Sequence, residues 1–315
     1  MGVNEILKQY GNKLSEFKVS DELVERGKML VEKFLPVIRH IAFDDFKENV
    51  ENNRFEDAYS SDVFRTIRGL CSENNTRILK QGTKVYRARI IDINDLYTAS
   101  KGIDFINGVL IGYDWLNSKE PPIGLSPDGR ANSKYSSYFY CSNNPNTAAC
   151  EVKPNITDYI SLASFEIKKD LKLIELTESP TNDDNSDDVE FRNMISRYFS
   201  IPIKDSQNYK LTQFISDEIR KSGIDGLCYK SYFTGAMNYV IFNCCMSNIE
   251  FSKSKVLKLH SQKLFFIDFS NEKVLQTTCE TDVEPEKILS EKCYLFEIIE
   301  SAHKRNILEE DEDNG

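Results

Sequence analysis

Histidine is scarce in this chain: His40, His260 and His303 are the three among 315 residues. None stands in a Cys–His or Ser–His setting that would activate a nucleophile. None follows an arginine at the short helical spacing of ribonucleases that pair those two residues on one helix. Metal-type spacing is missing as well. The eight cysteines (Cys71, Cys141, Cys150, Cys228, Cys244, Cys245, Cys279 and Cys293) form no C-x-x-C pair and no Cys–His cluster. No metal is therefore expected. The cysteines are expected to be reduced and buried or inert, with Cys244-Cys245 as alternating positions of a strand. Three loop motifs are also absent: G-x-S-x-G, G-x-x-x-x-G-K-[ST], and a G-x-G-x-x-G following a strand. These absences argue against an α/β-hydrolase elbow, a P-loop and a Rossmann dinucleotide site. No apolar run is long enough to span a bilayer. The start, MGVNEILKQYGNKLSEF, lacks the apolar block of a signal peptide. Ile6 occupies the position where a myristoylation signal needs Ser or Thr. A cytoplasmic protein without membrane contact is the expectation.

What is present is a foldable chain rich in Phe and Tyr, with a net charge of −10. An acidic balance disfavours nucleic acid unless basic residues cluster locally. The acids are uneven: Asp183, Asp184, Asp187, Asp188 and Glu190 share one stretch, and Glu309 to Asp313 another. Both read as solvated segments.

Residues 1–80 read as a helical front region. Leu23, Leu30, Val31, Phe34, Leu35 and Ile38 recur at helical spacing after Ser20, a candidate N-cap. Pro36 is expected to kink or end that helix. A second helix is expected to carry Phe55, Tyr59, Val63, Ile67 and Leu70 on one face. From residue 81 to 315 the pattern becomes mixed. Val85 to Ile90, Tyr138 to Cys141, Ile160 to Ile167, Leu171 to Leu176, Leu227 to Tyr229 and Tyr239 to Cys244 read as strands. Thr147 to Val152 and Leu211 to Lys221 read as helices, the latter closed by Gly223. A last helix is expected within 290–307. The fold class is α+β, a mostly antiparallel sheet behind a helical N-terminal region.

The polar residues at chosen places carry the functional reading. Arg87 and Arg89 alternate onto one strand face, with Tyr86 and Ala88 on the other. Such arginines either bind carboxylates or clamp phosphate with the guanidinium fork. Gly129-Arg130-Ala131-Asn132-Ser133 is a polar loop. Tyr140 is either sheet packing or a ring that stacks on a base or pyridinium. Glu151 sits among Ala148, Ala149, Cys150 and Val152. It is either a surface carboxylate paired with a lysine such as Lys153 or a catalytic one. Ser231, after Asp225-Gly226-Leu227-Cys228-Tyr229-Lys230, is either a turn residue or part of a site.

In this order these pieces resemble the RES-domain family. The resemblance runs from Val85 to Asn243. It rests on Val-Tyr-Arg-Ala-Arg at 85–89, Pro-Pro at 121–122 and Gly-Arg-Ala-Asn at 129–132. It continues through Tyr-Phe-Tyr-Cys-Ser at 138–142, Thr-Ala-Ala-Cys-Glu-Val at 147–152 and Tyr-Lys-Leu-Thr-Gln at 209–213. It closes with Asp-Gly-Leu-Cys-Tyr-Lys-Ser at 225–231 and Asn-Tyr-Val-Ile-Phe at 238–242. The resemblance implies an ADP-ribosyltransferase-like fold and NAD⁺ as the substrate. It also implies a toxin or defence enzyme with a cognate antitoxin. Glu151, Arg87 and Ser231 would be catalytic. Arg87, Arg130, Tyr140, Asn132, Ser231 and Asn238 would bind NAD⁺. The ADP-ribose acceptor would be water or phosphate or, alternatively, a macromolecule, protein or nucleic acid. A degenerate, non-catalytic binding module is the third reading. Ala88 departs from members with an aromatic after the first arginine, and a polar residue near Thr212 fills the serine role in some.

Overall fold

A computed structural model describes residues 21–72, 76–178, 187–202, 209–243, 248–259, 262–268, 273–279 and 285–313. The chain divides into two compact units. The first gathers residues 1–77, 128–133 and 174–224, and the second 78–127, 134–173 and 225–315. The helical front region is thus not a compact unit by itself, because two later segments complete it.

The first unit is helical. Helix α1 runs Asp21–Glu51 and continues past Pro36 rather than ending there. Its buried face comprises Arg39, Phe43, Phe46 and Val50, whereas Leu30, Phe34 and Ile38, expected on the apolar face, are exposed. The expected second helix is two. Helix α2 (Phe55–Ser60) stops at Ser61, whose extended backbone and side-chain oxygen, accepting from Phe64 N, start α3 (Asp62–Leu70). A serine that can cap is a natural break point, since capping satisfies an orphan amide. Helices α7 (Asp187–Ser200) and α8 (Lys210–Lys221) complete this unit. Gly223, at φ 82°, follows α8 in the left-handed conformation expected of a closing glycine. Phe214 of α8 stacks on Phe55 at 5.8 Å and meets Phe46 edge-on at 6.0 Å. Two of the acids expected in solvent also make specific bonds, Asp188 exposed as expected and Asp187 half-buried. Asp187 pairs with the buried Arg39 at 2.7 Å, and Asp188 accepts from Thr66 Oγ1 at 2.6 Å.

The second unit is built on a sheet. Its strands are β1 (Thr76–Leu79), β2 (Lys84–Ile90), β5 (Phe139–Ser142), β6 (Tyr159–Ile167), β7 (Leu171–Leu176), β8 (Gly226–Lys230), β9 (Met237–Ile241) and β10 (Ile249–Lys258). The spatial order is β1-β7-β8-β9-β5-β2-β6-β10. The unit boundary falls within β1 and β7. The pairings β8–β9, β9–β5, β5–β2, β2–β6 and β6–β10 are antiparallel. Fold class is therefore α+β with helices at the front, as the sequence pattern indicates. Strand β9 ends at Ile241, and Cys244-Cys245 lie outside the described residues. A small hairpin of β3 (Asp104–Ile106) and β4 (Val109–Ile111) adds to the expected strands. Two short helices flank it, α4 (Ile93–Tyr97) and α5 (Trp115–Ser118), each capped by the aspartate before it. A second two-stranded piece joins β11 (Gln262–Asp268) to β12 (Lys273–Cys279). The last helix, α9, spans Pro285–Asp313 and so extends through the acidic C-terminal run.

Alternation sorts the sheet residues onto two faces. Val85, Phe139, Cys141, Phe165, Cys228, Tyr239 and Ile241 share one core cluster. On the other face Tyr86, Ala88, Ile160 and Leu162 pack with Ala148, Ala149 and Val152 of the segment that carries Glu151. This second layer is what places a carboxylate over the sheet.

Candidate active site

The segment 145–151 is a short helix, α6 (Pro145–Glu151). Asn144 caps it by accepting from the amides of Asn146 and Thr147, and Pro145 occupies the first turn, where its missing N–H costs nothing. Thr147 and Ala148 are buried against the sheet. The helix stops at Glu151 because Lys153 turns into the left-handed region at φ 49°. Glu151 is thereby delivered at a helix end, half-buried, beside the sheet.

Its partners come from the β8–β9 connection. Ser231 Oγ donates to Glu151 Oε1 at 2.7 Å, and Asn238 Nδ2 donates to the same oxygen at 2.7 Å. The loop that holds Ser231 is itself fixed. Ser231 N donates to Ala236 O at 2.7 Å and Gly235 N to Ser231 O at 2.9 Å. Phe233 N donates to Ser231 Oγ at 3.2 Å, and Thr234 shares a hydroxyl–hydroxyl bond with Thr147 at 2.8 Å. Ser231 is 3% exposed, so its bond to the carboxylate is shielded from solvent. A charge-assisted bond of this kind contributes about 1.5–3 kcal/mol. Lys153 is exposed, and the hydrogen bonds described for Glu151 come from Ser231 and Asn238 rather than from a neighbouring lysine.

A cleft of about 300 Å³ opens beside this group. Tyr86, Arg87, Tyr140, Glu151, Tyr229 and Asn238 are among its lining residues. The cleft forms where β2 and β5 are joined through the pair Tyr86↔Ser142. Further along, the Arg87 side chain takes over the connection, with Nη1 donating to Tyr140 O at 2.8 Å. The guanidinium also lies 5.5 Å from the centre of the Phe139 ring. Burial, with a smaller contribution from the Arg89 cation, lowers the Arg87 pKa to about 10. Arg87 stays a cation at neutral pH. Its Nε is buried without a hydrogen-bond partner, and the Nε of Arg89 is in the same state. Arg89 Nη2 donates to Lys119 O at 2.5 Å.

Arg130 and Asn132 belong to the other unit. There the Arg130 guanidinium donates to Phe199 O and, at 3.4 Å, to Tyr198 O, both on α7. The Arg130 carbonyl accepts from Thr212 Oγ1 at 2.5 Å, and the Asn132 carbonyl accepts from Gln213 Nε2 at 2.9 Å. Thr212, a candidate for the serine role, is fully buried in this network. Of the residues singled out from sequence, Arg87, Tyr140, Glu151, Ser231 and Asn238 thus assemble within one unit, while Arg130 and Asn132 tie a loop to α7 and α8. Tyr86 and Tyr229 line the cleft without having been singled out as site residues. The alternation Tyr86-Arg87-Ala88 puts Tyr86 on the face opposite the arginines, yet Tyr86, Arg87 and Ala88 all line the cleft, beside a β2–β5 ladder reduced to the pair Tyr86↔Ser142.

Among the described residues no cluster of His, Cys, Asp or Glu is arranged to hold a metal ion. No described helix is long and apolar enough to cross a membrane. Cys141 and Cys228 are buried, Cys150 and Cys293 exposed, and Cys71 half-buried, all as free thiols.

Residues 112–258 match the family model of the RES domain, a stretch just short of half the chain. The match includes Tyr140, Glu151, Ser231 and Asn238 and begins after Arg87. No curated protein matches the sequence. Among solved structures, the chain is similar to one in the crystal structure of the M. tuberculosis MbcT–MbcA toxin–antitoxin complex. Identity is 12% and the TM-score 0.36, covering 62% of this chain and 92% of that one.

Proposed function

We propose that this protein cleaves the nicotinamide–ribose bond of NAD⁺ and acts as the toxic or defensive member of a pair with an antitoxin. The observation that carries the reading is a single carboxylate, Glu151, held at one oxygen by Ser231 and Asn238 at the edge of a cleft that also contains a half-buried cation, Arg87. NAD⁺ needs no strong nucleophile from the protein. Its leaving group departs as neutral nicotinamide, and the positive charge passes to an oxocarbenium-like ribose. A fixed carboxylate next to that ribose stabilises the charge as it develops. Because Ser231 and Asn238 both occupy Oε1, Oε2 is the oxygen that faces substrate in this reading. The C1′–N bond breaks, an oxygen of water or phosphate bonds to C1′, and a proton is released from the acceptor.

Arg87 supplies the counter-charge for the pyrophosphate. Its orphaned Nε is consistent with an anion site, since an unmet buried donor costs about 1–3 kcal/mol until an acceptor arrives. Tyr140 packs on the nicotinamide. Ser231 and Asn238 act through Glu151 as positioning residues. In this reading Arg130 and Asn132 hold the fold rather than the substrate.

The alternative is transfer of ADP-ribose to a protein or a nucleic acid, which breaks the same bond. The deciding experiment uses NAD⁺ labelled on the adenylate, incubated with the full chain alone, with phosphate, with cell protein and with RNA. Label in ADP-ribose or its phosphorylated form supports the first reading, and label in a macromolecule supports the second. Intact NAD⁺ in all four incubations refutes both.

A further inference from the structure

Helix α1 carries two apolar faces. At about 100° per residue, Arg39, Phe43, Phe46 and Val50 fall within one arc, which is the buried face. Leu30, Phe34, Val37 and Ile41 fall in an arc on the opposite side, and each is 53–57% exposed. Met29 and Ile38 widen this stripe and are exposed too. The intervals 30–34–37–41 are four, three and four residues. That is the alternation by which one helix presents a seam to another. The seam is about 16 Å long, three turns of helix. A contiguous apolar stripe of this size is uncommon on a monomer surface.

We propose that this face pairs with the same face of a second copy, the two α1 helices running antiparallel about a twofold axis between Leu35 and Pro36. The seam is self-complementary in that arrangement. Leu30 meets the other copy's Ile41, and Phe34 meets its Val37, so a large side chain faces a smaller one in the central layers. The charges favour the same direction. On the exposed side the N-terminal half carries Arg26 and Lys33, and the C-terminal half carries Asp44, Asp45 and Glu48. Antiparallel pairing brings Arg26 to the other copy's Asp44, which lies on the same flank of the stripe, at both ends of the seam. Parallel pairing would set acids against acids. A twofold contact needs the one patch to match itself, and this stripe does so in both shape and charge. The inference is independent of the chemistry proposed for the cleft.

The test is sedimentation equilibrium of the full chain over a wide concentration range. The wild type is expected to dimerise. Phe34→Asp places a charge in both central layers and should weaken the dimer about 100-fold. It lies on an exposed face, so its circular dichroism and monomer melting should be unchanged. Arg26→Glu and Asp44→Arg should each weaken the dimer, and the double variant should restore it. A wild type that is monomeric throughout overturns the proposal. So does a dimer indifferent to Phe34→Asp, or a double variant no stronger than its parents.

Discussion

Replacing Glu151 by Gln isolates charge from shape. The glutamine carbonyl can occupy the place of Oε1 and still accept from Ser231 Oγ and Asn238 Nδ2, both at 2.7 Å in the native site. What changes is the charge and the chemistry of the second oxygen, which becomes an amide nitrogen. The two hydrogen bonds weaken from charge-assisted to neutral, a loss of about 1 kcal/mol each. Folding should survive, because Glu151 is half-buried at a helix end and lies outside the apolar core. Transition-state stabilisation should not survive. Loss of one well-placed electrostatic group costs about 100- to 1000-fold in rate, or 2.7–4 kcal/mol. NAD⁺ affinity should be nearly unchanged, because the carboxylate matters most once charge develops on the ribose. The assay is nicotinamide release beside calorimetric binding of NAD⁺, with thermal melting as the folding control. A folded Glu151→Gln protein that binds NAD⁺ and turns it over near the wild-type rate refutes the role of the carboxylate. One that loses binding and turnover together shows that Glu151 serves the ground state.

Ser231→Ala should lower kcat by about 10-fold, since it removes one of two bonds that orient Glu151 while leaving the charge; stopped-flow turnover checks this, and an unchanged rate would mean Asn238 suffices. Lys153→Gly should raise stability by about 0.5–1 kcal/mol in urea unfolding, because a lysine at φ 49° is strained where glycine is not. Asp95 gives an acid-stability signature. Burial alone would raise its pKa, but hydrogen bonds from Lys101, Tyr113 and Ser100 outweigh that and hold it below the usual carboxylate value. A depressed folded pKa means the stabilisation is complete above the unfolded value and is lost as pH falls through the folded one. Asp95→Asn should therefore cost about 1–3 kcal/mol at neutral pH and progressively less below about pH 4 in acid-unfolding curves. A truncated protein beginning at Gln81 should fold poorly and aggregate, because it strips Phe43, Phe46 and Phe64 from α7 and α8; a well-dispersed, cooperatively melting fragment would contradict this.

Much of the sheet is legible from apolar, β-branched and aromatic runs bounded by turn residues, because β6 and β7 bury side chains on both faces and read as near-continuous apolar segments. The apolar pattern also recovers α8, with Ile215 and Ile219 buried and Gly223 closing it. Other features are not legible. Pro36 tends to break helices, yet α1 continues, since packing of Phe43 and Phe46 overrides local preference. The apolar residues of the N-terminal half give the right periodicity but the wrong inside, because the stripe around Phe34 is exposed. Glu151 and Ser231 lie 80 residues apart, and nothing local in the sequence announces their bond. The ordered set of motifs is what links them. Arg130 shows the converse: a motif position whose guanidinium is taken up by the backbone of α7.

The central claim is tested most directly by incubating the purified 315-residue chain with NAD⁺ and measuring free nicotinamide by mass spectrometry, wild type beside Glu151→Gln. Nicotinamide released mole for mole with NAD⁺ lost, and at least about 100-fold more slowly by the variant, is the expected result. Stable NAD⁺ with the wild type, or equal release by the two proteins, would contradict the account.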